Sequence, residues 1–307
     1  MPTTTTLPRL MSSEHELDVS ADKFGPLRDS SGDLGNLELL RQRMEEEGYL
    51  FLPGLLNRDD VLAARGIICQ RLLEQQLLDP ASDPLDGVAR KGAAISAFQP
   101  ELFTADNPPL HRVLYRGALM ECFTGLLGGP VRHFDFTWFR SIPHGRGTAS
   151  HCDVVYMGRG TPRLYTAWTP VGDVSYELGG LMILEGSHRH QRLRDTYCTL
   201  DVDAHCTNKS GPAGLDAWAK GTNGALSTDP NRIRNSLGGR WLTSEYRAGD
   251  VLLFSIFTVH ASLDNQTDRI RLSSDSRYQL ASEPADERWI GEKPIGHGPE
   301  AKKGLIC

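Results

Sequence analysis

The first third of the chain has the hydrophobic spacing of helices. Between Leu37 and Glu47 apolar side chains recur on one face and Gly48 follows them, so the pattern predicts a helix that ends at this glycine. A short apolar run at residues 49–52 predicts a strand. Two further helical patterns follow, one from a cap at Asn57 or Asp59 to about Leu78 and one over residues 109–127.

From residue 131 onward the pattern changes to short runs rich in β-branched and aromatic residues, separated by glycine, proline, aspartate or asparagine. Such runs predict strands. They lie at residues 131–142, 161–169, 180–184, 251–259 and 269–278. Helices followed by strands predict an α+β fold in which the helices cover one side of a sheet system.

Two segments stand apart from this pattern. Residues 1–35 are polar, with scattered proline, serine and aspartate, and we interpret them as a loosely ordered N-terminal arm. Residues 188–241 form a long, mostly polar insert. Because a connection of that length inside a domain usually has a function, we expect the insert to be a lid over a substrate. Residues 36–307, including this insert, are expected to form one domain.

Composition and charge narrow the classes of function. The 307 residues carry a net charge of −6, which argues against a nucleic-acid-binding surface. No apolar run approaches the roughly 20 residues that span a bilayer, and the threonine-rich start lacks the apolar core of a signal peptide. The six cysteines form no CxxC pair. We therefore expect a cytoplasmic protein with reduced cysteines, a monomer or homodimer that acts on a small molecule.

A candidate metal site begins with the triplet His151-Cys152-Asp153. If the triplet lies in a strand, the side chains of His151 and Asp153 point to one face and that of Cys152 to the other. Two imidazoles and one carboxylate are the ligands of a non-haem Fe(II) facial triad, so one more histidine would complete the set. An HxD pair also occurs by chance in many proteins, and alone it does not identify a metal site.

His260 is the candidate for the third ligand. It follows the apolar run of residues 251–259, which has the composition of a buried strand. A histidine at the end of a strand is often a satisfied core residue, so this position alone leaves both interpretations open.

Arg271 favours the metal site. The segment after His260 has the composition of a turn, and a hairpin centred on residues 265–266 would place His260 opposite Arg271, with both side chains on one face. A buried guanidinium needs an anionic partner, which is either Asp275 or a dicarboxylic co-substrate gripped by a bidentate fork. For Arg277 we instead expect a structural ion pair.

With these residues in place, the chain resembles the phytanoyl-CoA dioxygenase family of Fe(II)/2-oxoglutarate-dependent oxygenases. The resemblance extends from Tyr49 to about Tyr278. The motifs that carry it are His151-Cys152-Asp153, Ala167-Trp168-Thr169, Gly179-Gly180, Glu185-Gly186-Ser187-His188, Gly249-Asp250, His260-Ala261-Ser262, Asn265 and Arg271. The family usually has Asn-Gly where this chain has Gly179-Gly180.

The resemblance implies a double-stranded β-helix, or jelly-roll, core flanked by N-terminal helices. It also implies that His151, Asp153 and His260 bind Fe(II). Arg271, by the same resemblance, grips the far carboxylate of the co-substrate 2-oxoglutarate.

Two tryptophans are further candidates by resemblance. Trp168 matches a co-substrate-contacting tryptophan of some family members, and Trp138 lies on the strand that lines that pocket. Plain core packing is the alternative for each. The turn at Glu185-Gly186-Ser187-His188 is expected to be structural, with His188 outside the ligand set.

The implied reaction oxidises an unactivated C–H bond of a small organic substrate, consumes O2 and decarboxylates 2-oxoglutarate to succinate and CO2. For the substrate we expect an apolar or moderately polar small molecule, such as a secondary metabolite. Asp153 favours hydroxylation over halogenation, because related halogenases have a small residue there. The alternatives are a non-catalytic jelly-roll protein that binds a metal or small ligand, and a zinc hydrolase with the same triad. Neither alternative needs Arg271.

Overall fold

A computed structural model describes residues 7–99, 106–208 and 223–306. Its first helix, α1 (Leu37–Glu47), lies where the hydrophobic pattern predicts. The side chain of Asn36 accepts a hydrogen bond from the N–H of Leu39 and satisfies one of the free donors at the start of the helix. Gly48 ends the helix with a φ of 77°, a left-handed conformation that glycine adopts without strain.

The other N-terminal helices follow the prediction with two differences: the first ends at Glu74 rather than near Leu78, and the second is divided in two. The helix α2 (Arg58–Glu74) begins after Asn57, whose side chain caps it. The pattern at residues 109–127 proves to be two helices, because the extended backbone of Arg116 separates them. They are α3 (Pro108–Tyr115) and α4 (Gly117–Leu127). Shorter helices farther along are α5 (Val154–Met157), α6 (Gln191–Asp195) and α7 (Pro230–Leu237).

The strands of the described residues are, in chain order, β1 (Met11–Ser12), β2 (His15–Glu16), β3 (Phe24–Pro26), β4 (Tyr49–Leu52), β5 (Val131–His133), β6 (Trp138–Ile142), β7 (Tyr165–Pro170), β8 (Leu181–Leu184), β9 (Ala204–Cys206), β10 (Trp241–Thr243), β11 (Val251–Ser255), β12 (His260–Ser262), β13 (Arg271–Leu280) and β14 (Lys303–Leu305). A six-stranded sheet has the order β4-β11-β7-β13-β5, with β6 also paired to β13. A four-stranded sheet has the order β12-β8-β10-β3.

The two sheets pack face to face, and alternation along the strands decides what lies between them. On β11, Leu252 belongs to the cluster between the sheets, together with Ile183 and Leu242 of the smaller sheet. Its neighbour Leu253 points the other way and packs with residues of the N-terminal helices, such as Phe123. The helices therefore cover the outer face of the larger sheet, and the α+β expectation is confirmed.

The N-terminal segment is well packed where the structure describes it. Leu10, Leu17 and Phe24 are buried, and β3 pairs in parallel with β10 at the edge of the smaller sheet. Our interpretation of residues 1–35 as a loosely ordered arm is therefore wrong for residues 7–35. Three apolar side chains spaced by seven residues pack with Met182, Leu184 and Trp241 of the smaller sheet and help to anchor this polar segment.

The predicted hairpin between His260 and Arg271 does not form. The strand β12 pairs with β8 in the smaller sheet, whereas β13 pairs with β5, β6 and β7 in the larger one. The connecting residues cross from one sheet to the other. Asn265 fixes this crossing, because its side-chain amide donates to the carbonyl oxygens of Ile142 and Arg269. The polar segment between β12 and β13, whose composition predicts a turn, is thus a connection from one sheet to the other.

The described parts of the insert at residues 188–241 hold α6, β9 and α7, and they are anchored by buried side chains such as Leu193 and Ile233. Residues 209–222 lie outside the described residues. Cys206 is disulfide-bonded, which corrects the expectation of fully reduced cysteines, while Cys69, Cys122, Cys152 and Cys198 are free thiols. Over the described ranges, no helix is both long enough and apolar enough to cross a membrane.

Candidate metal centre

Two distant histidines are joined by their backbones. The N–H of His151 donates to the carbonyl of His260 at 3.0 Å, and the N–H of His260 donates back to His151 at 3.0 Å. This reciprocal pair is one isolated antiparallel bridge. It places the two imidazole rings 4.2 Å apart, centroid to centroid.

Asp153 reaches the same point by a different route from the one we predicted. The chain leaves the bridge directly after His151, and Asp153 has helical backbone angles, φ −65° and ψ −26°, at the start of α5. The strand alternation expected for the HxD triplet is therefore wrong. A bridge followed by a helical turn still brings both side chains together, and Cys152 between them is buried in the neighbouring core.

The three side chains form a compact ligand set. The Oδ1 atom of Asp153 lies 3.8 Å from Nε2 of His151 and 3.7 Å from Nε2 of His260. One ligand atom from each residue lies within 4.8 Å of the others. All three residues are at least nine-tenths buried. Two nitrogens and one carboxylate oxygen on one side leave the opposite side open, which is the arrangement of the facial triad.

Backbone carbonyls fix the orientation of both imidazoles. The Nδ1 atom of His151 lies 2.8 Å from the carbonyl oxygen of Ala149, and that of His260 lies 3.1 Å from the carbonyl oxygen of Thr258. A carbonyl only accepts, so each Nδ1 carries the proton and each Nε2 presents a lone pair to the centre. Burial, and then the neighbouring His260, lower the pKa of His151 to about 3. His151 is therefore neutral at physiological pH, as a metal ligand must be.

The second oxygen of Asp153 is held by two residues. Arg277 places Nη2 at 3.0 Å from Oδ2, and the Thr166 hydroxyl donates to the same oxygen at 2.5 Å. Burial opposes ionisation of Asp153, but the adjacent Arg277 guanidinium is the largest opposing influence and keeps the pKa of this carboxyl below its usual range. Arg277 in turn lies over the ring of Trp138, with Cζ 4.7 Å from the ring centroid.

Sequence reasoning expected a structural ion pair for Arg277 but did not identify Asp153 as its partner. The sequence does contain a signal for the direction in which the Arg277 side chain points. Arg277 lies six positions after Arg271 on the same strand, and because an even offset keeps side chains on one face, both point into the space between the sheets.

A cavity of about 490 Å³ opens beside the triad. His151 and Asp153 form part of its wall, and so does Trp138. Asn223 and Ala225, from the described end of the insert, lie on the same wall. Its volume is in the range of small-molecule sites, roughly 300–1,000 Å³.

Arg271 and Trp168 lie together but do not line this cavity. The Arg271 guanidinium is 6.0 Å from the Trp168 ring and donates from Nη1 to the carbonyl oxygen of Gly179 at 2.5 Å. Its Nε atom is buried without an acceptor. Burial lowers the pKa of Arg271 to about 10. Asp275, the predicted structural partner, instead pairs with Arg140 at 3.0 Å.

The Gly179-Gly180 turn is closer to this arginine than its place in the sequence suggests. Gly179 has a φ of 88°, and a Cβ atom there would lie 2.6 Å from the carbonyl oxygen of Leu263. Its own carbonyl is the acceptor for Arg271. The position where this chain has Gly-Gly and the family usually has Asn-Gly therefore lies beside Arg271, the candidate co-substrate anchor. This proximity is not visible in the sequence, because the turn is far along the chain from Arg271.

His188 has a structural place, as expected. Its Nε2 atom lies 2.9 Å from the carbonyl oxygen of Glu45, and its ring packs against Gly48, where a Cβ atom would come within 2.4 Å. The Glu-Gly-Ser-His turn therefore joins the smaller sheet to the end of α1.

Known proteins resemble this chain over most of its length. Residues 44–273 match the model of the family described as Phytanoyl-CoA dioxygenase (PhyH). The 1-deoxypentalenic acid 11-beta-hydroxylase of Streptomyces exfoliatus is 28% identical over 287 residues, covering 89% of this chain and 91% of that protein.

Two solved structures share the fold. SnoK, a non-heme alpha ketoglutarate dependent carbocyclase from nogalamycin biosynthesis, has a TM-score of 0.59 at 17% identity, covering 88% of this chain and 93% of its own. The epimerase SnoN, in complex with Fe3+, alpha ketoglutarate and nogalamycin RO, has a TM-score of 0.51 at 21% identity, covering 84% and 87%. Because the family model matches well over half of the chain, this protein belongs to the phytanoyl-CoA dioxygenase family and is a non-haem iron oxygenase that depends on 2-oxoglutarate.

Proposed function

We propose that this enzyme hydroxylates an unactivated C–H bond of a small organic substrate and decarboxylates 2-oxoglutarate to succinate and CO2 as it does so. The observation that carries the proposal is the pairing of the His-Asp-His cluster with a buried arginine that has no carboxylate partner. Among the described residues, no carboxylate oxygen lies within 4.0 Å of the Arg271 guanidinium. A fully buried guanidinium without an anionic partner destabilises the folded protein, and an anionic ligand would remove this penalty.

His151, Asp153 and His260 are the residues that would hold ferrous iron. The donor set fits this ion, because both histidines present an unprotonated Nε2 and the carboxylate turns one oxygen inward. Arg277 and Thr166 occupy the other oxygen and so favour one-oxygen coordination.

Arg271 is the residue that would hold the far carboxylate of 2-oxoglutarate. Ser273, two residues along the same strand, also has a buried hydroxyl without a partner. Side chains two apart on a strand face the same way, so the two side chains offer adjacent donors to one carboxylate. Trp168 forms the wall beside the guanidinium.

When bound, iron and 2-oxoglutarate together activate O2 and supply the oxidant that removes a hydrogen atom from the substrate. The chain's own task is to exclude water from this centre and to place one C–H bond near the open side of the triad. Trp138 and Tyr156 form apolar parts of the cavity wall next to His151. Asp153 occupies the position that related halogenases leave to a small residue, so hydroxylation is the favoured outcome.

The proposal includes two features of architecture. The two facing sheets are interpreted as a double-stranded β-helix, which is supported by the alternation of inward and outward residues on β11 and β7. The insert at residues 188–241 is interpreted as a cover for the substrate, because Asn223, Ala225 and Thr228 line the cavity beside the triad.

The relatives suggest a class of substrate. The Streptomyces hydroxylases are named for 1-deoxypentalenic acid, and the SnoK and SnoN structures come from nogalamycin biosynthesis. We therefore propose a secondary metabolite as the substrate.

Replacing Arg271 tests the co-substrate site. Arg271→Ala removes a charge-assisted bidentate contact worth about 1.5–3 kcal/mol, so the 2-oxoglutarate concentration for half-maximal succinate formation should rise at least tenfold. Iron binding, measured by calorimetry under argon, should remain within twofold of wild type. The matched control is Arg163→Gln, which breaks an exposed ion pair with Glu283 on the outer surface.

The reaction itself is tested by incubating purified protein with Fe(II), 2-oxoglutarate and O2 and measuring succinate. Wild type should release succinate slowly without substrate, and His260→Ala should release none above background. Equal succinate formation by wild type and His260→Ala would contradict the proposed reaction. An unchanged 2-oxoglutarate requirement in Arg271→Ala would remove Arg271 from the site while leaving the reaction class intact.

A further inference from the structure

Resting on the proposed function, we propose that the substrate carries a carboxylate, or an equivalent single negative charge, and that Arg140 binds it. Arg140 lies on β6 in the wall of the cavity beside the triad. Its Nε atom is 3.0 Å from Oδ2 of Asp275. The two terminal nitrogens of its guanidinium make no hydrogen bond to any described residue. The end of the guanidinium formed by these two nitrogens, which can grip a carboxylate with two parallel N–H donors, is therefore left for a ligand.

The contacts of Arg140 hold its guanidinium in place before a ligand arrives. Asp275 fixes one side through Nε, and the Phe98 ring lies 6.0 Å from Cζ. The backbones of Phe98 and Arg140 also form an isolated bridge. The Arg140 side chain is 26% exposed, so it is partly desolvated but still reachable from the cavity. A preorganised, partly desolvated guanidinium binds an anion more tightly than a mobile surface arginine.

The balance of charge inside the fold points the same way. The charged side chains that act on the triad and on Arg271 include the guanidiniums of Arg140, Arg271 and Arg277 and the carboxylates of Asp153 and Asp275, which together carry one net positive charge. A ferrous ion and a 2-oxoglutarate dianion would cancel each other. One positive charge then remains, and a substrate with a single negative charge neutralises it.

The rest of the cavity suits an apolar body. Phe98, Trp138, Tyr156 and Met157 contribute rings and a thioether to its wall. His297 lines the same cavity, and its Nδ1 atom is directed to Asp203 at 2.7 Å. The chemistry thus favours a small molecule with a hydrocarbon skeleton and one acidic end at Arg140.

Binding measured without turnover tests this inference separately from the reaction. Protein loaded with Fe(II) and 2-oxoglutarate under argon is titrated by calorimetry with dodecanoic acid, abietic acid and 2-naphthoic acid, and with the methyl ester of each. At least one acid should bind tenfold or more tightly than its own ester, because only the acid gains the charged contact with Arg140.

The variant compared with wild type is the double substitution Arg140→Gln with Asp275→Asn. It removes both members of the ion pair, so no buried carboxylate is left unpaired and the net charge between the sheets stays the same. Acid binding should weaken by about tenfold to a hundredfold while ester binding changes less than twofold. Arg163→Gln, which opens an outer ion pair, serves as the control and should keep the wild-type preference.

Three results would overturn the inference: acids and esters binding equally, no acid binding at all, or the double variant keeping the preference for acids. Thermal unfolding of each variant is measured first, so that a loss of folding is not mistaken for a loss of binding. Failure of the proposed reaction has a different signature, because it shows as an absence of succinate whatever the acids do.

Discussion

At the scale of single residues, the metal centre depends on the different contacts of the two carboxylate oxygens of Asp153. One oxygen faces two unprotonated imidazole nitrogens, and the other is held by Arg277 and Thr166. A carboxylate fixed in this way cannot rotate to offer both oxygens to a metal. The outer contacts would therefore limit Asp153 to one oxygen ligand as well as fix the position of that oxygen.

Removing Arg277 should weaken the metal site without removing a ligand. Arg277→Gln takes away the charge that keeps Asp153 ionised, so affinity for Fe(II), measured by calorimetry under argon, should fall about tenfold to a hundredfold. Thr166→Val removes only a neutral hydrogen bond to the same oxygen, so it should reduce the affinity for Fe(II) by a smaller factor than Arg277→Gln. If Arg277→Gln folds and binds iron as tightly as wild type, the Arg277 contact has no role in holding the ligand.

At the scale of elements, the sequence predicted those features that depend on neighbouring residues. The sequence predicts α1 because its apolar residues recur on one face and Gly48 supplies a stop, and it predicts β4 and β11 as short apolar runs. The ligand types and Arg271 were also identified. These features follow from local chemistry, which a single sequence contains.

The features that were not predicted depend on distant parts of the chain. Whether β12 and β13 pair is decided by other strands, β8 for the first and β6 and β7 for the second. The route to Asp153 depends on a bridge with residue 260, more than a hundred positions away. A turn-like composition marks where a strand ends but does not specify which sheet the chain enters next.

The turn at Gly179 positions the carbonyl oxygen that accepts a hydrogen bond from Arg271 on the larger sheet. Gly179→Ala places a Cβ atom 2.6 Å from the Leu263 carbonyl in a left-handed backbone, and it shifts the acceptor of Arg271. We expect a loss of roughly 2–4 kcal/mol in the free energy of unfolding, measured by urea titration, and a several-fold rise in the 2-oxoglutarate requirement. Gly145→Ala is the matched control, because it has a φ of 71° with open space around it. Equal effects of the two substitutions would show that backbone strain alone matters at Gly179.

At the scale of the whole molecule, the C-terminal residues complete the cavity. The strand β14 pairs with β9 of the insert, and Trp289 packs on Trp138 with ring centroids 4.5 Å apart. Asp203 ties these parts together. Its carboxylate contacts Arg288 at 2.6 Å, His297 at 2.7 Å and Lys302 at 2.9 Å. The wall that holds His297 is therefore positioned by charge as well as by apolar packing.

This charge cluster makes the stability of the fold depend on pH. Burial opposes ionisation of Asp203, but its cationic partners outweigh burial and hold the pKa of this carboxyl below its usual range. Because the folded-state pKa is the lower one, the stabilisation is complete above the unfolded value of about 3.9 and is lost as pH falls below it towards the folded pKa. Asp203→Asn should lower the free energy of unfolding by about 3–5 kcal/mol at pH 7, since Arg288 would be left buried with less compensation.

Urea titrations at pH 7, 5 and 3 measure both parts of this prediction. The difference between wild type and Asp203→Asn should shrink as the pH falls from 5 to 3, because unfolded wild type then takes up a proton on Asp203 that the folded protein does not, and the variant has no such group. Asp173→Asn is the control. Its ion pair with Arg58 is about half exposed, so the substitution should lower the free energy of unfolding by no more than about 1 kcal/mol. A difference for Asp203→Asn that stays constant over this range would mean that hydrogen bonding by the side chain, rather than its charge, anchors the C-terminal wall of the cavity.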